Sequence, residues 1–463
     1  MDPTPQGITC GETKVSKPRL IAAVMLGVFW MMALMPFILQ EISYKLFDRV
    51  WPYLGVIADA LLIIIGLWLL RRRSDILMLA SFILISAIST LALNGGTLLQ
   101  YLNGCRYYLP MILLIPVMRY MFEAKERRDY FLERMDFSLE IFLWVQAPCL
   151  VWQMIRYGVG DHGGGSMGNY MSGVTSTLIY TISFYLMLHR WRPEKDYFAN
   201  LRGNWILVVL LLPTFLNETK ISFVMMAMYF FLLVPMRRGY IKTMLLVAPA
   251  MALALGISAY IYVNSSRGGD NVFNKEYIDF YLMGDEASLN LIELLVDQQV
   301  ASDSEGIGDD FARGLKFAAL PLIARDSSWA PWLGFGIGQF KGGSVFRKTG
   351  FAMRYDWLVK GTQMMGMIWF VELGWAGIAW AIAYFFLLFR WGRHVPDRNM
   401  QLSWFLGLTA LMMVLYGSCF LQIPFAIIFI YVSMLSSRWE LAGEPRVESL
   451  HYRSPDAVTL ISH

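Results

Sequence analysis

Ionisable residues set inside long apolar blocks are where this sequence could do chemistry, and the sharpest instance is Asn217-Glu218-Thr219-Lys220. It separates two apolar segments, 204–217 and 221–236, whose far ends are flanked by Arg202 and by Arg237-Arg238. At 1.5 Å per residue the first arm reaches roughly 21 Å, short of a hydrocarbon core about 30 Å thick. With both feet held at one face by arginines, the apex sits below the opposite surface. Ionised groups at that depth need a partner or a wet cavity, so Glu218 and Lys220 read either as a pair closing a hairpin or as the lining of a polar cleft.

Other residues join them. Arg313 and Arg325 flank Ala318–Ile323, and close behind comes the glycine-rich run Gly334-Phe335-Gly336-Ile337-Gly338-Gln339-Phe340. Arginine makes bidentate contacts to phosphate oxygens, and glycines let backbone N–H groups approach an anion. With Lys220 these residues describe a cationic site for a phosphorylated lipid; taken singly, each is equally well a solvated charge. Arg106, before Tyr107-Tyr108-Leu109-Pro110, is either an interfacial anchor or a phosphate contact. Asp59, mid-block, reads as paired within a bundle, and Glu372 as structural before chemical. His162, in Gly160-Asp161-His162-Gly163, is a solvated loop residue or a general base. Asp309-Asp310 reads as a turn, and no catalytic metal or cofactor is expected.

The elements that must position these residues follow from composition. The chain has 463 residues, 57% hydrophobic and 16% charged, against about a quarter charged in soluble domains. A net charge of +4 is too small to suggest a nucleic-acid partner, and none is expected. The four cysteines, at 10, 105, 149 and 419, have neither metal-ligand nor framework spacing, although Cys105 and Cys419 could pair. Apolar blocks of spanning length occur at 20–39, 52–70, 75–94, 107–122, 137–156, 171–189, 204–217, 221–236, 241–262, 364–389, 402–418 and 420–436. The first reads as a retained helix rather than a cleaved signal. Arg71–Arg73, Lys125 to Arg134, Arg190 to Arg202, Arg237 to Lys242 and Arg390 to Arg398 fall in alternate loops.

By the positive-inside rule both termini are cytoplasmic. The expected fold is an all-α polytopic membrane protein with twelve transmembrane helices and one large helical loop outside. Its parts are a cytoplasmic segment 1–19, helices over 20–262, the loop 263–363, helices over 364–436 and a cytoplasmic tail 437–463. Within the loop, helices are expected over 286–301 and from Arg313 to about Ile323, forming a cap on the outer membrane face.

The run Pro331-Trp332-Leu333-Gly334-Phe335-Gly336-Ile337-Gly338-Gln339-Phe340 resembles the P-L-L-G-x-G-x-G-x-F element of the O-antigen polymerase and ligase family. In that pattern an upstream arginine falls on Arg313, a re-entry segment E-L-G-x-x-G on Glu372-Leu373-Gly374-Trp375-Ala376-Gly377, and a basic residue between paired short helices on Lys220. The resemblance covers roughly 204–389. It implies a GT-C-type, metal-independent glycosyltransferase of the bacterial inner membrane, with its site facing the periplasm. Donor and acceptor are polyprenyl-pyrophosphate-linked oligosaccharides, and the implied partners are the lipid bilayer, a flippase and a chain-length regulator.

Lys220 replaces the family's usual arginine, and Gln363 stands where the ligases have a histidine. These departures favour a repeat-unit polymerase of surface or exopolysaccharide over an O-antigen ligase acting on lipid A-core. On this reading Arg313 and Lys220 hold the pyrophosphate, with Arg106 and Arg325 as secondary contacts. Glu218, His162 and Asp356, in that order, are candidates to activate the acceptor. Trp329, Trp332, Phe340, Tyr355 and Trp357 are candidates to stack on sugars. A transporter is the competing class, but a two-half carrier has its long loop inside and midway, unlike this chain.

Overall fold

A computed structural model describes residues 17–158, 163–169, 171–216, 220–234, 313–325, 327–340, 349–358, 363–389 and 397–438, with isolated positions between 241 and 296. Among these residues the chain is helical, with no strand. The helices are α1 Lys17–Ile42, α2 Tyr44–Leu69, α3 Arg73–Ala87, α4 Leu98–Phe122, α5 Lys125–Tyr157, α6 Ser172–His189, α7 Tyr197–Gly203, α8 Trp205–Val209, α9 Pro213–Leu216 and α10 Lys220–Leu232. After the long loop begins come α11 Arg313–Ala324, α12 Ala330–Leu333 and α13 Gly350–Tyr355. The last three are α14 Met365–Phe389, α15 Asp397–Tyr416 and α16 Ile423–Arg438. Five helical stretches are long and apolar enough to cross a membrane: α1, α2, α3 with its continuation to Leu93, α5 and α14. The chain is an all-α membrane protein.

Burial separates the inside of the bundle from its rim. α4, α6 and α16 are buried along most of their length, α6 from Thr175 through Leu188. α2 and α3 instead present Leu61, Ile64, Leu67, Trp68, Leu77 and Leu84 outward. An apolar rim around a polar-seamed interior is what hydrocarbon surroundings require. Contact between α2 and α4 is close: a methyl at Gly66 would lie 2.4 Å from Leu113 Cβ.

α2 and α5 begin eight and twelve residues ahead of their expected blocks, so that Lys125 to Arg134, read as a loop, are the helical start of α5. Three further departures bear on the site. α4 begins at Leu98, ahead of the expected 107, because its polar first turns face partners instead of lipid: Asn103 is buried and Arg106 Nε lies 3.0 Å from Asp59 Oδ2. The pairing expected for Asp59 is thereby identified.

Segment 204–217 is not one short helix but two pieces, α8 and α9, joined by a turn. Interrupting a helix frees carbonyls, which membrane interiors do not tolerate unpaired, and hydroxyls meet them here. Ser183 Oγ donates to Leu207 O (3.1 Å), Thr214 Oγ1 to Leu211 O (2.7 Å) and Ser222 Oγ to Thr214 O (3.1 Å).

The third departure is the glycine-rich run, which lies between α3, α4 and α14 rather than on a surface cap. The helix expected from Arg313 is α11; most of the one expected over 286–301 lies outside the described residues. Cys105, Cys149 and Cys419 are free, so Cys105 and Cys419 do not pair.

Candidate functional site

The glycine-rich run and the Glu372 segment interlock. α12 ends at Gly334, whose φ of 71° excludes most side chains; α14 is kinked at Gly374, with φ 62°. The two glycines face each other's chains: a methyl at Gly334 would lie 2.4 Å from the Glu372 carbonyl carbon, and one at Gly374 would lie 2.4 Å from that of Trp332. In an unbroken helix the carbonyls of Val371 and Glu372 would accept from residues 375 and 376. With the kink, Phe335 N–H donates to Val371 O (2.7 Å) and Gly336 N–H to Glu372 O (3.0 Å).

The Glu372 side chain, 1% exposed, completes the clasp. Its Oε1 accepts from the N–H groups of Gly338 (3.0 Å) and Gln339 (3.1 Å), and its Oε2 from the Tyr108 hydroxyl. Ile337 N–H donates to Thr90 Oγ1 (2.9 Å), on the π-helical turn Ile88–Leu93 that continues α3. Asn94 Nδ2 donates to Gly334 O (3.1 Å). The amides of Gly334, Gly336 and Gly338 are therefore all engaged within the fold, that of Gly334 by Ala330 O (2.8 Å). This corrects the expectation that they approach a ligand anion: the Gly338 amide meets the Glu372 carboxylate, and those of Gly334 and Gly336 meet backbone carbonyls.

Arg106 and Arg313 are each engaged by the fold, and Arg313 and Arg325 stand at opposite ends of one helix. Arg106 is held by Asp59 and by Tyr107, whose hydroxyl lies 2.6 Å from Nη2 and whose ring centroid is 4.5 Å from the guanidinium carbon. A phosphate contact would have to compete with that carboxylate. Arg313 opens α11 and Arg325 follows its end. Twelve residues of helix separate them by roughly 18 Å of rise and about a third of a turn, so the two do not clasp one diphosphate together.

Arg313 lies over the Tyr416 ring, 3.9 Å from its centroid. Tyr416 ends α15, where Met365 N–H donates to Gly417 O (2.9 Å) and Ser418 Oγ to Gln363 Oε1 (3.4 Å). At the opposite end of α15, Gln401 Nε2 donates to Val234 O (2.9 Å), just past α10. Since α10 and α15 pack side by side, position 220, where α10 starts, stands at the same end of the bundle as Tyr416 and Arg313.

Glu218 and His162 lie outside the described residues. Asp356 opens a short 3-10 turn, Asp356–Leu358, that directly follows α13. Among the expected sugar-stacking residues, Trp329 and Trp332 are exposed, whereas Tyr355 and Trp357 are core, at 6% and 1% exposure. They pack with Leu315, Ala319 and Ile323 of α11, a role their position in the loop did not disclose. Sequence reasoning singled out Gln363 through the family resemblance but missed Tyr416, which lies under Arg313, and Ser418, which meets Gln363.

Among the described residues no group of three His, Cys, Asp or Glu side chains is placed to hold a metal ion. In comparison with known proteins, no family model matches the chain and no curated protein matches it.

Proposed function

We propose that this protein is a membrane-embedded glycosyltransferase that joins polyprenyl-pyrophosphate-linked oligosaccharide repeat units at the outer face of a bacterial inner membrane. In this reading the chain crosses the membrane twelve times with both termini cytoplasmic. The acceptor hydroxyl attacks the anomeric carbon of the donor, the bond from that carbon to the pyrophosphate oxygen breaks, and the lipid pyrophosphate leaves. The hydroxyl proton passes to a base drawn from Glu218, His162 or Asp356. Positive charge fixed where the leaving group gains negative charge lowers the barrier, and holding two large substrates in register supplies much of the rest.

The observation that carries the reading is the clasp itself. The two motifs behind the resemblance to O-antigen polymerases and ligases, 331–340 and 372–377, form one interlocked unit through Gly334, Gly374 and Glu372. Further support comes from Arg313, which lies over Tyr416 at the end of the bundle where α10 begins. Gln363 takes no proton at neutral pH, which favours a polymerase over a ligase using a histidine base.

The test is polymer formation in cells carrying Arg313→Ala or Lys220→Ala, with the protein quantified in the membrane. Both variants accumulate normally and lose at least 99% of polymer yield. Wild-type chain length and yield in both would refute the assignment.

A further inference from the structure

A cavity of about 300 Å³ opens beside the clasp, lined by Asn94, Gly95, Gly96, Thr97, Gln100, Gln339, Thr349, Phe335 and Phe351. No lining side chain is charged, so nothing in it favours an anion. The Phe335 and Phe351 rings form one wall, their centroids 4.7 Å apart at 33°, both half-buried.

The remaining lining is polar and carries unused hydrogen-bonding capacity. The Gln100 carboxamide has no hydrogen-bond partner among the described residues. Asn94 uses its Nδ2 on Ser89 O (2.7 Å) and Gly334 O, leaving its Oδ1 to accept. Thr97 Oγ1 accepts from Gln100 N–H (3.2 Å) and keeps its own proton to donate. Gln339, by contrast, is fixed: its Nε2 donates to Phe335 O and its Oε1 accepts from Thr349 Oγ1 (2.7 Å).

A carboxamide offers donor and acceptor side by side, the complement of two adjacent hydroxyls, and an aromatic face suits the C–H face of a sugar ring. Small-molecule sites generally combine an apolar wall with a few fixed polar groups, at volumes from about 300 Å³ upward.

We propose that this cavity is a subsite for an uncharged sugar residue, with Gln100, Asn94 and Thr97 reading its hydroxyls and Phe335 and Phe351 packing on its ring. The inference rests on the glycosyltransferase reading and deepens it by naming where a neutral part of the glycan lodges. The cavity shares its aromatic wall with the apolar cluster that carries α11, so subsite and Arg313 belong to one packed unit.

The test is binding by the full-length protein in detergent micelles, read by saturation-transfer NMR. The probes are maltotetraose, cellotetraose, chitotetraose and a partial acid hydrolysate of the source cell's envelope polysaccharide. At least one binds the wild type. Gln100→Ala weakens it three- to tenfold, the scale of one or two neutral hydrogen bonds, and Gln100→Trp, which removes the carboxamide and puts a bulky ring into the cavity, abolishes it. An unchanged thermal unfolding midpoint shows that both variants are folded, and Phe351→Leu serves as the second variant, weakening binding through the other wall.

Failure of all four probes to bind the wild type overturns the subsite, as does binding indifferent to Gln100→Trp and Phe351→Leu. Transfer from lipid or detergent headgroups alone overturns it in favour of a lipid occupant. The two readings fail separately. Saccharide binding that depends on Gln100, in a protein that makes no polymer, leaves the subsite standing and removes the polymerase. Polymer made normally by Gln100→Trp but not by Arg313→Ala does the reverse.

Discussion

Two stretches of irregular backbone lie buried in this bundle, and opposite chemistry holds them. The run 334–339 closes on a carboxylate, with Glu372 taking two amides and the Tyr108 hydroxyl. The turn 163–169 closes on three carboxamides. Gln153 accepts from Gly165 N–H (2.7 Å) and donates to Gly165 O (3.0 Å), and Gln146 does the same for Ser166 N–H (3.0 Å) and Ser166 Oγ (2.7 Å). Gln40 accepts from Asn169 N–H (2.7 Å). An ionised carboxylate only accepts, whereas a carboxamide does both. The single carboxylate therefore ties α4, the loop and α14 at one point. The glutamines of α1 and α5 bind both edges of their turn separately and without charge. One clasp concentrates its energy in a residue, and the other distributes it.

The most damaging substitution is accordingly Glu372→Ala. It leaves three buried donors without an acceptor, each a loss of about 1–3 kcal/mol, and lowers stability by about 4 kcal/mol. Thermal unfolding in micelles measures this; a loss below about 1 kcal/mol would mean that no single group holds the clasp. Next comes Gln153→Glu, which exchanges the chemistry of one site for that of the other. The new carboxylate keeps the bond from Gly165 N–H but meets Gly165 O with no proton to offer, at a cost of about 2 kcal/mol. Equal effects from these two changes would erase the distinction between a concentrated and a distributed clasp.

How far such a structure can be read from sequence depends on the range of the interaction. Apolar blocks locate helices such as α1, α6 and α16 within a few residues, because lipid-facing and core positions are both apolar and length alone decides. The blocks fail where polar residues are helical, whether exposed, as in the first turns of α5, or turned inward. The inward case is α4, whose first turns, with Gln100, Asn103 and Arg106, lie outside the expected 107–122. They fail again at 210–212, where side-chain hydroxyls from α6 and α10 make a helix break tolerable.

The glycines at 334, 336 and 338 announce a backbone of unusual shape, but not what it touches. Their partner Glu372 is 34 residues beyond Gly338, and nothing in the local pattern distinguishes a ligand's phosphate from the protein's own carboxylate. The same gap misassigned Trp357 and Tyr355, since an aromatic residue in a loop looks alike whether it faces a sugar or fills a small core.

The finest distinction is between the charge of Glu372 and its shape, and Glu372→Gln isolates it. The substituted carboxamide keeps an oxygen where Oε1 stands, so the amides of Gly338 and Gln339 retain their acceptor. Its NH2 group takes the place of Oε2, and Tyr108 can rotate its hydroxyl to accept instead of donate. What disappears is the extra strength of bonds to a charged group, a difference of about 1 kcal/mol, offset in part because a neutral side chain is less costly to bury. The expected result is a loss of about 1 kcal/mol or less, a quarter of that for Glu372→Ala, with polymer formation retained. If Glu372→Gln instead destabilises as much as Glu372→Ala, the negative charge itself organises the loop. The clasp would then be electrostatic in kind, and its difference from the glutamine-held turn would be one of charge rather than of how many segments meet at one side chain.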